Sequence, residues 1–143
     1  MKRMMRIAAT LTALASGAAG AQFAPGVFDN ARLVGVWSWT RPVDKCTDTY
    51  EFRADGTLSL TSGAERTENT YRLQAKPYPG TARYMLVINT LRDNGGADCL
   101  GAAVDDSGQS TTVYIQFDTS GTAGFIVCKD PLSAACVGPM QRK

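Results

Sequence analysis

The stretch Leu33-Val34-Gly35-Val36-Trp37-Ser38-Trp39-Thr40 constrains this chain more than any other. As an extended strand it turns Gly35, Trp37 and Trp39 to one face and Val36 and Ser38 to the other. Two tryptophans on one face of one strand need a large apolar volume to cover them. A glycine two residues ahead of the first ring leaves room for close approach of other groups. The rest of the chain is therefore expected to wrap around these rings. Trp37 reads as core, and Trp39 as core or as part of a ligand-cavity wall.

The downstream residues suit that task. Asp48–Arg53 alternates with Tyr50 and Phe52 inward, and Asp55-Gly56 is a strong hairpin turn because both central residues of such a turn can need positive φ. Residues 57–61 put Leu58 and Leu60 inward. Residues 65–74 are polar except for Tyr71 and Leu73, so their first half is expected at the surface. The most apolar segment, 82–89, is expected to be covered on both faces. A long loop from Arg92 to Asp98 leads to Cys99 and a short strand over 99–104. Two further strands come next, 111–117 with Val113, Ile115 and Phe117 inward, and 122–128. Asp130 can then cap a one-turn helix that starts at Pro131, before a tail to Lys143. No long segment of 3.6-residue period occurs after residue 21. The pattern reads as all-β, an antiparallel up-and-down barrel of about eight strands in preference to a sandwich.

The first 21 residues read as an export signal: Lys2, Arg3 and Arg6, a short apolar run, then Ala19-Gly20-Ala21, with cleavage after Ala21. Residues 22–33 form a lead-in whose Phe23, Val27 and Phe28 could lie across a barrel end, and 34–143 form the barrel domain. Of 15 basic and 13 acidic residues, three basic ones fall in the leader, so the mature part carries 12 against 13. Nothing there suggests nucleic acid or an anionic membrane as partner. No segment after the leader is apolar for long enough to span a bilayer, and the expected state is a monomer in the periplasm or outside the cell. Cys46, Cys99, Cys128 and Cys136 are even in number in an exported chain, which points to two disulfides. Three pairings are open. The compact turn between Cys128 and Cys136 favours joining those two, leaving Cys46 with Cys99.

The chemistry the residues exclude is as informative. The sequence contains 0 histidines, which removes Ser-His-Asp and Cys-His nucleophilic sites. With no histidine and no CxxC spacing, a zinc site is not expected. The pairs Asp44/Asp48, Asp93/Asp98 and Asp105/Asp106 lack EF-hand spacing and read as solvated loop charge. Asp118-Thr119-Ser120-Gly121 resembles an aspartic-protease loop, but it has an extra residue, lacks a second copy and sits where a hairpin turn is needed. No catalytic residue, metal or cofactor is expected.

Gly35-x-Trp37 on the first strand, followed by sequential hairpins, resembles the lipocalin and calycin barrels. A closer likeness, over about residues 33–143, is to small exported bacterial proteins with a lipocalin-like domain. It rests on Trp37-Ser38-Trp39-Thr40, Thr49-Tyr50-Glu51-Phe52-Arg53-Ala54-Asp55-Gly56-Thr57, Asp93-Asn94-Gly95-Gly96-Ala97-Asp98-Cys99 and Cys136-Val137-Gly138-Pro139. The lipocalin resemblance implies that Gly35 and Trp37 close the barrel base, with a late basic residue, Arg142 or else Lys129, packed over the ring. The function expected is non-catalytic binding of a small apolar ligand in the cell envelope. Trp39, Tyr50, Phe52, Leu58 and Leu60 would line the cavity from the first strands, and Tyr71, Val113, Ile115 and Phe117 from the later ones. The other expectation is a protein-binding envelope factor, such as a lysozyme or protease inhibitor, acting through loops 41–47, 75–81 and 91–98.

Overall fold

Eight strands, each joined to the next by a turn or loop, close on themselves in sequence order in a computed structural model that describes residues 27–121 and 123–143. The strands are β1 (Gly35–Thr40), β2 (Thr47–Phe52), β3 (Thr57–Ser62), β4 (Glu65–Leu73), β5 (Tyr84–Asp93), β6 (Ser110–Phe117), β7 (Gly124–Cys128) and β8 (Cys136–Arg142). Every neighbouring pair is antiparallel, and β1 pairs with β8 through Trp37↔Arg142 and Ser38↔Gln141 to complete the barrel. The export signal, its cleavage site and Phe23 lie outside the described residues.

Two expected elements differ. Residues 99–104 form no strand; that segment has only the isolated bridge Ala97↔Ala103, because Asp98 Oδ1 accepts from the backbone N–H groups of Leu100 and Ala102 and curls the chain. The eighth strand is instead the C-terminal segment 136–142, which the Gly138-Pro139 pair hides from a strand reading. Asp130 does accept from Leu132 and Ser133 N–H, as a cap would. No helix forms there, because the Cys128–Cys136 bridge turns the chain back across β7. Of the expected lid, Val27 and Phe28 are exposed at the surface, where Phe28 bridges to Gln74. On β5 only Leu86 is fully buried, and the outward-facing Met85 and Val87 are half-buried, so the outer face is covered in part and not fully as expected.

The inner residues sort into two levels. Leu33, Trp37, Phe52, Leu58, Tyr71, Leu73, Ile115, Phe125 and Met140 form the buried core near one end. Trp37 and Phe125 meet edge to face at 4.9 Å, and Phe52 and Tyr71 at 4.8 Å. This end is closed by the lead-in, where a short 3-10 turn (Asn30–Arg32) delivers Leu33 into the core. Asn30 ties the turn to β4, its side chain accepting from Leu73 N–H and donating to the Tyr71 carbonyl. Towards the other end, Trp39, Tyr50, Ile88, Val113 and Val127 are only partly buried. Both disulfides lie at that open end: Cys46–Cys99 joins the β1–β2 and β5–β6 loops, and Cys128–Cys136 joins β7 to β8.

One irregularity sets which side chains face the open end. Asn69 pairs with Thr90 but Glu68 pairs with Arg92, so Leu91 is an extra, exposed residue in β5. The bulge changes the phase of the strand. Strict alternation from Leu86, Ile88 and Thr90 would turn Arg92 inward. With the bulge, Asp93 faces in opposite Thr67, and Arg92 lies outside.

Candidate functional site: the open end of the barrel

Two cavities occupy the open half. One, of about 300 Å³, is walled by Tyr50, Phe52, Leu60, Leu86, Ile88, Val113, Phe125 and Val127, with Glu65, Thr67, Asn69, Thr90, Asp93 and Asp106 among its polar residues. The other, of about 500 Å³, is walled by Trp39, Leu60, Leu100 and Val137 with Arg41, Asp48, Ser62, Glu65 and Asp98. Tyr50, Leu60, Glu65 and Asp98 belong to both. The floor is apolar and the rim is acidic.

Of the residues expected to line a cavity, the structure brings Tyr50, Phe52, Leu60 and Val113 together in the first space and places Trp39 in the second. Leu58, Tyr71 and Ile115 instead belong to the filled core below them, each at 1% exposure or less. Alternation assigns a side chain to the inside of a barrel but not to a height along its axis. Phe117 faces a separate cleft with Pro139 and Gln141, and its ring carries the Arg32 guanidinium at 4.1 Å.

The closed end has a defined geometry. Trp37 Nε1 donates to the Leu33 carbonyl at 2.7 Å. Arg142 sits 4.2 Å from the Trp37 ring centroid and donates to the Val34 carbonyl. Gly35 has φ +135°, and a methyl group there would run into the guanidinium. Lys129 follows Cys128 at the opposite end, far from this ring in the register. Arg32, which no sequence pattern singles out, lies between Tyr84 and Phe117 as a second basic group on aromatic faces.

The polar wall is what sequence reasoning missed. The first half of β4, expected at the surface, is inside: Thr67 is 6% and Asn69 2% exposed. Asn69 resolves its burial by donating to the Leu58 carbonyl and to Thr67 Oγ1. Four of the aspartates read as loop charge, Asp48, Asp93, Asp98 and Asp106, gather with Glu65 around the cavities. Burial first, then the charges of Asp93, Asp98, Asp106 and Asp48, push the Glu65 carboxyl above its ordinary value. Burial, followed by Asp48 and Glu65, also pushes the Tyr50 phenol well up, so it stays protonated. The signal for this wall was present in the inward phase of Asp48-x-Tyr50 and in Glu65-x-Thr67-x-Asn69-x-Tyr71, but polarity argued against reading it.

The loop beside the rim is packed tightly. Ala64 and Glu65 N–H both donate to the Ala97 carbonyl, and a side chain at Gly96 would strike the Ala64 carbonyl. The architecture is that of an eight-stranded antiparallel barrel compatible with a calycin-like fold, and its two disulfides belong to an oxidising, exported environment. No family model, curated protein or solved structure matches the chain. Among the described residues no helix is long and apolar enough to cross a membrane.

Proposed function

We propose that this protein is an exported, monomeric, non-catalytic binding protein of lipocalin-like type that takes a small molecule into the open end of its barrel in the cell envelope. The observation that carries the reading is the axial division of the interior. The closed half is filled by Trp37, Leu58, Tyr71 and Met140, whereas the open half keeps cavities of about 300 and 500 Å³ under a polar rim. An interior this size fits a small ligand held by an apolar floor and a few placed polar groups. A native mass spectrum of protein purified gently from its own cell envelope tests it. Extra mass of small-molecule size, lost on denaturation, is the expected result. A bare monomer that also fails to take up small amphiphiles would overturn the reading.

The second reading, a protein-binding envelope factor, draws on a different observation. Val43, Leu100 and Leu132 sit on three loops at the open end with 89%, 80% and 78% of their surfaces exposed. Exposed apolar side chains gathered into a patch mark interaction sites, and these three share one end of the barrel. On this reading the protein inhibits a lysozyme or protease, and changing all three residues to serine abolishes that inhibition without altering the fold.

A further inference from the structure

The acidic rim holds more carboxylate than the fold uses. Asp93 is engaged on the backbone N–H groups of Gly95 and Asp106, and Asp98 on those of Leu100 and Ala102. Asp48 and Glu65 are different. Asp48 Oδ1 is buried without a hydrogen-bond partner, and among the described residues neither carboxylate is ion-paired. Tyr50 stands with Glu65 on the wall shared by both cavities, Asp48 lines the second cavity beside them, and the Tyr50 hydroxyl finds no partner among the described residues. Arg41, the one basic residue lining the second cavity, is taken up by the Cys99 carbonyl at 2.6 Å and by Asp44 at 3.5 Å.

A buried carboxylate oxygen without a partner is costly unless something else completes it. A metal ion does not suit the place: among the described residues no three acidic or sulfur-bearing side chains converge closely enough to hold one. The floor is apolar, formed by Leu60, Ile88, Val113 and Val127. Resting on the reading of the barrel as a small-molecule binder, we propose that the open-end cavity selects an amphipathic cation. A protonated amine donates to Asp48, Glu65 and the Tyr50 oxygen, and its apolar body lies on the floor below.

The test is a calorimetric titration of the disulfide-intact protein with n-octylamine, n-octanol and octanoate, which share a chain and differ in head-group charge. The amine is expected to bind about tenfold more tightly than the alcohol, with octanoate weakest. In the double variant Asp48→Asn, Glu65→Gln the amine falls to within about twofold of the alcohol, whose own affinity is unchanged and thereby reports an intact cavity. Equal binding of amine and alcohol to the native protein, or a preference for octanoate, would overturn the charge selectivity and leave the binding-protein reading standing. If none of the three binds, both fall. The native series decides the matter even if the double variant does not fold.

Discussion

Arg142 is an exposed residue with an interior role. Its guanidinium covers the Trp37 ring and satisfies the Val34 carbonyl, so Arg142→Ala removes a cation–π contact and a charge-assisted hydrogen bond together. A loss of about 2 kcal/mol in chemical denaturation is expected, far more than an ordinary surface change. Arg142→Lys should recover only part of it, because an ammonium cannot lie flat on the ring and also reach the carbonyl. Glu65 presents the opposite case. Its folded-state pKa is raised, so ionising it costs the folded state. That cost is absent below the ordinary carboxyl value and grows as pH rises through the raised one. Glu65→Gln should therefore leave thermal stability unchanged near pH 3 and raise Tm by about 2 °C at pH 7, a modest figure because solvent screens a partly exposed group. A lower Tm at neutral pH would show that the ionised carboxylate gains more from its surroundings than burial takes from it. Trp37 was legible as core because alternation sets it on one face of its strand with Gly35 and Trp39, while the barrel-closing role came from the lipocalin resemblance. Glu65 was not: polar residues on a strand read as outward, and only closure of the barrel shows that alternation carries Glu65, Thr67 and Asn69 inside.

At the scale of elements, the tight hairpins were written locally and the longer connections were not. Asp55-Gly56 and Ser62-Gly63 give short connections that leave β2, β3 and β4 in unbroken register. The bulge at Leu91 has no comparable local signature, yet it decides that Asp93 and not Arg92 reaches the cavity. The C-terminal strand was missed because Gly138 and Pro139 interrupt it, although the pairing of β8 with β7 continues on both sides of them. The disulfides differ in the chain they close, with sequence separations of 53 and 8. On a chain-entropy basis the first contributes about 4 kcal/mol and the second about 2.5 kcal/mol. Replacing Cys46 and Cys99 by serine should accordingly lower the denaturation midpoint more than replacing Cys128 and Cys136. Equal losses would mean that loop closure is not what these bridges supply.

The whole molecule is a barrel packed at one end and hollow at the other. Leu58 and Leu60 lie on the same face of β3, two residues apart, one in the filled core and the other on the walls of both cavities. Leu58→Ala should cost about 3–4 kcal/mol, as removal of a fully packed side chain does, and Leu60→Ala about 1 kcal/mol because it already borders empty space. Equal costs in equilibrium unfolding would mean that the open half closes up in solution. The seam between β1 and β8 carries a consequence of another kind, in the order in which the molecule is made. β1 leaves the ribosome before β8 exists, so the Trp37 ring waits for Arg142, 105 positions later in the chain. Until then β1 and β7 both present unpaired edges. A chain interrupted just before β8 would hold nearly all of the barrel and still be prone to aggregation, whereas a circular permutant that joins β8 directly to β1 would close the vulnerable seam first.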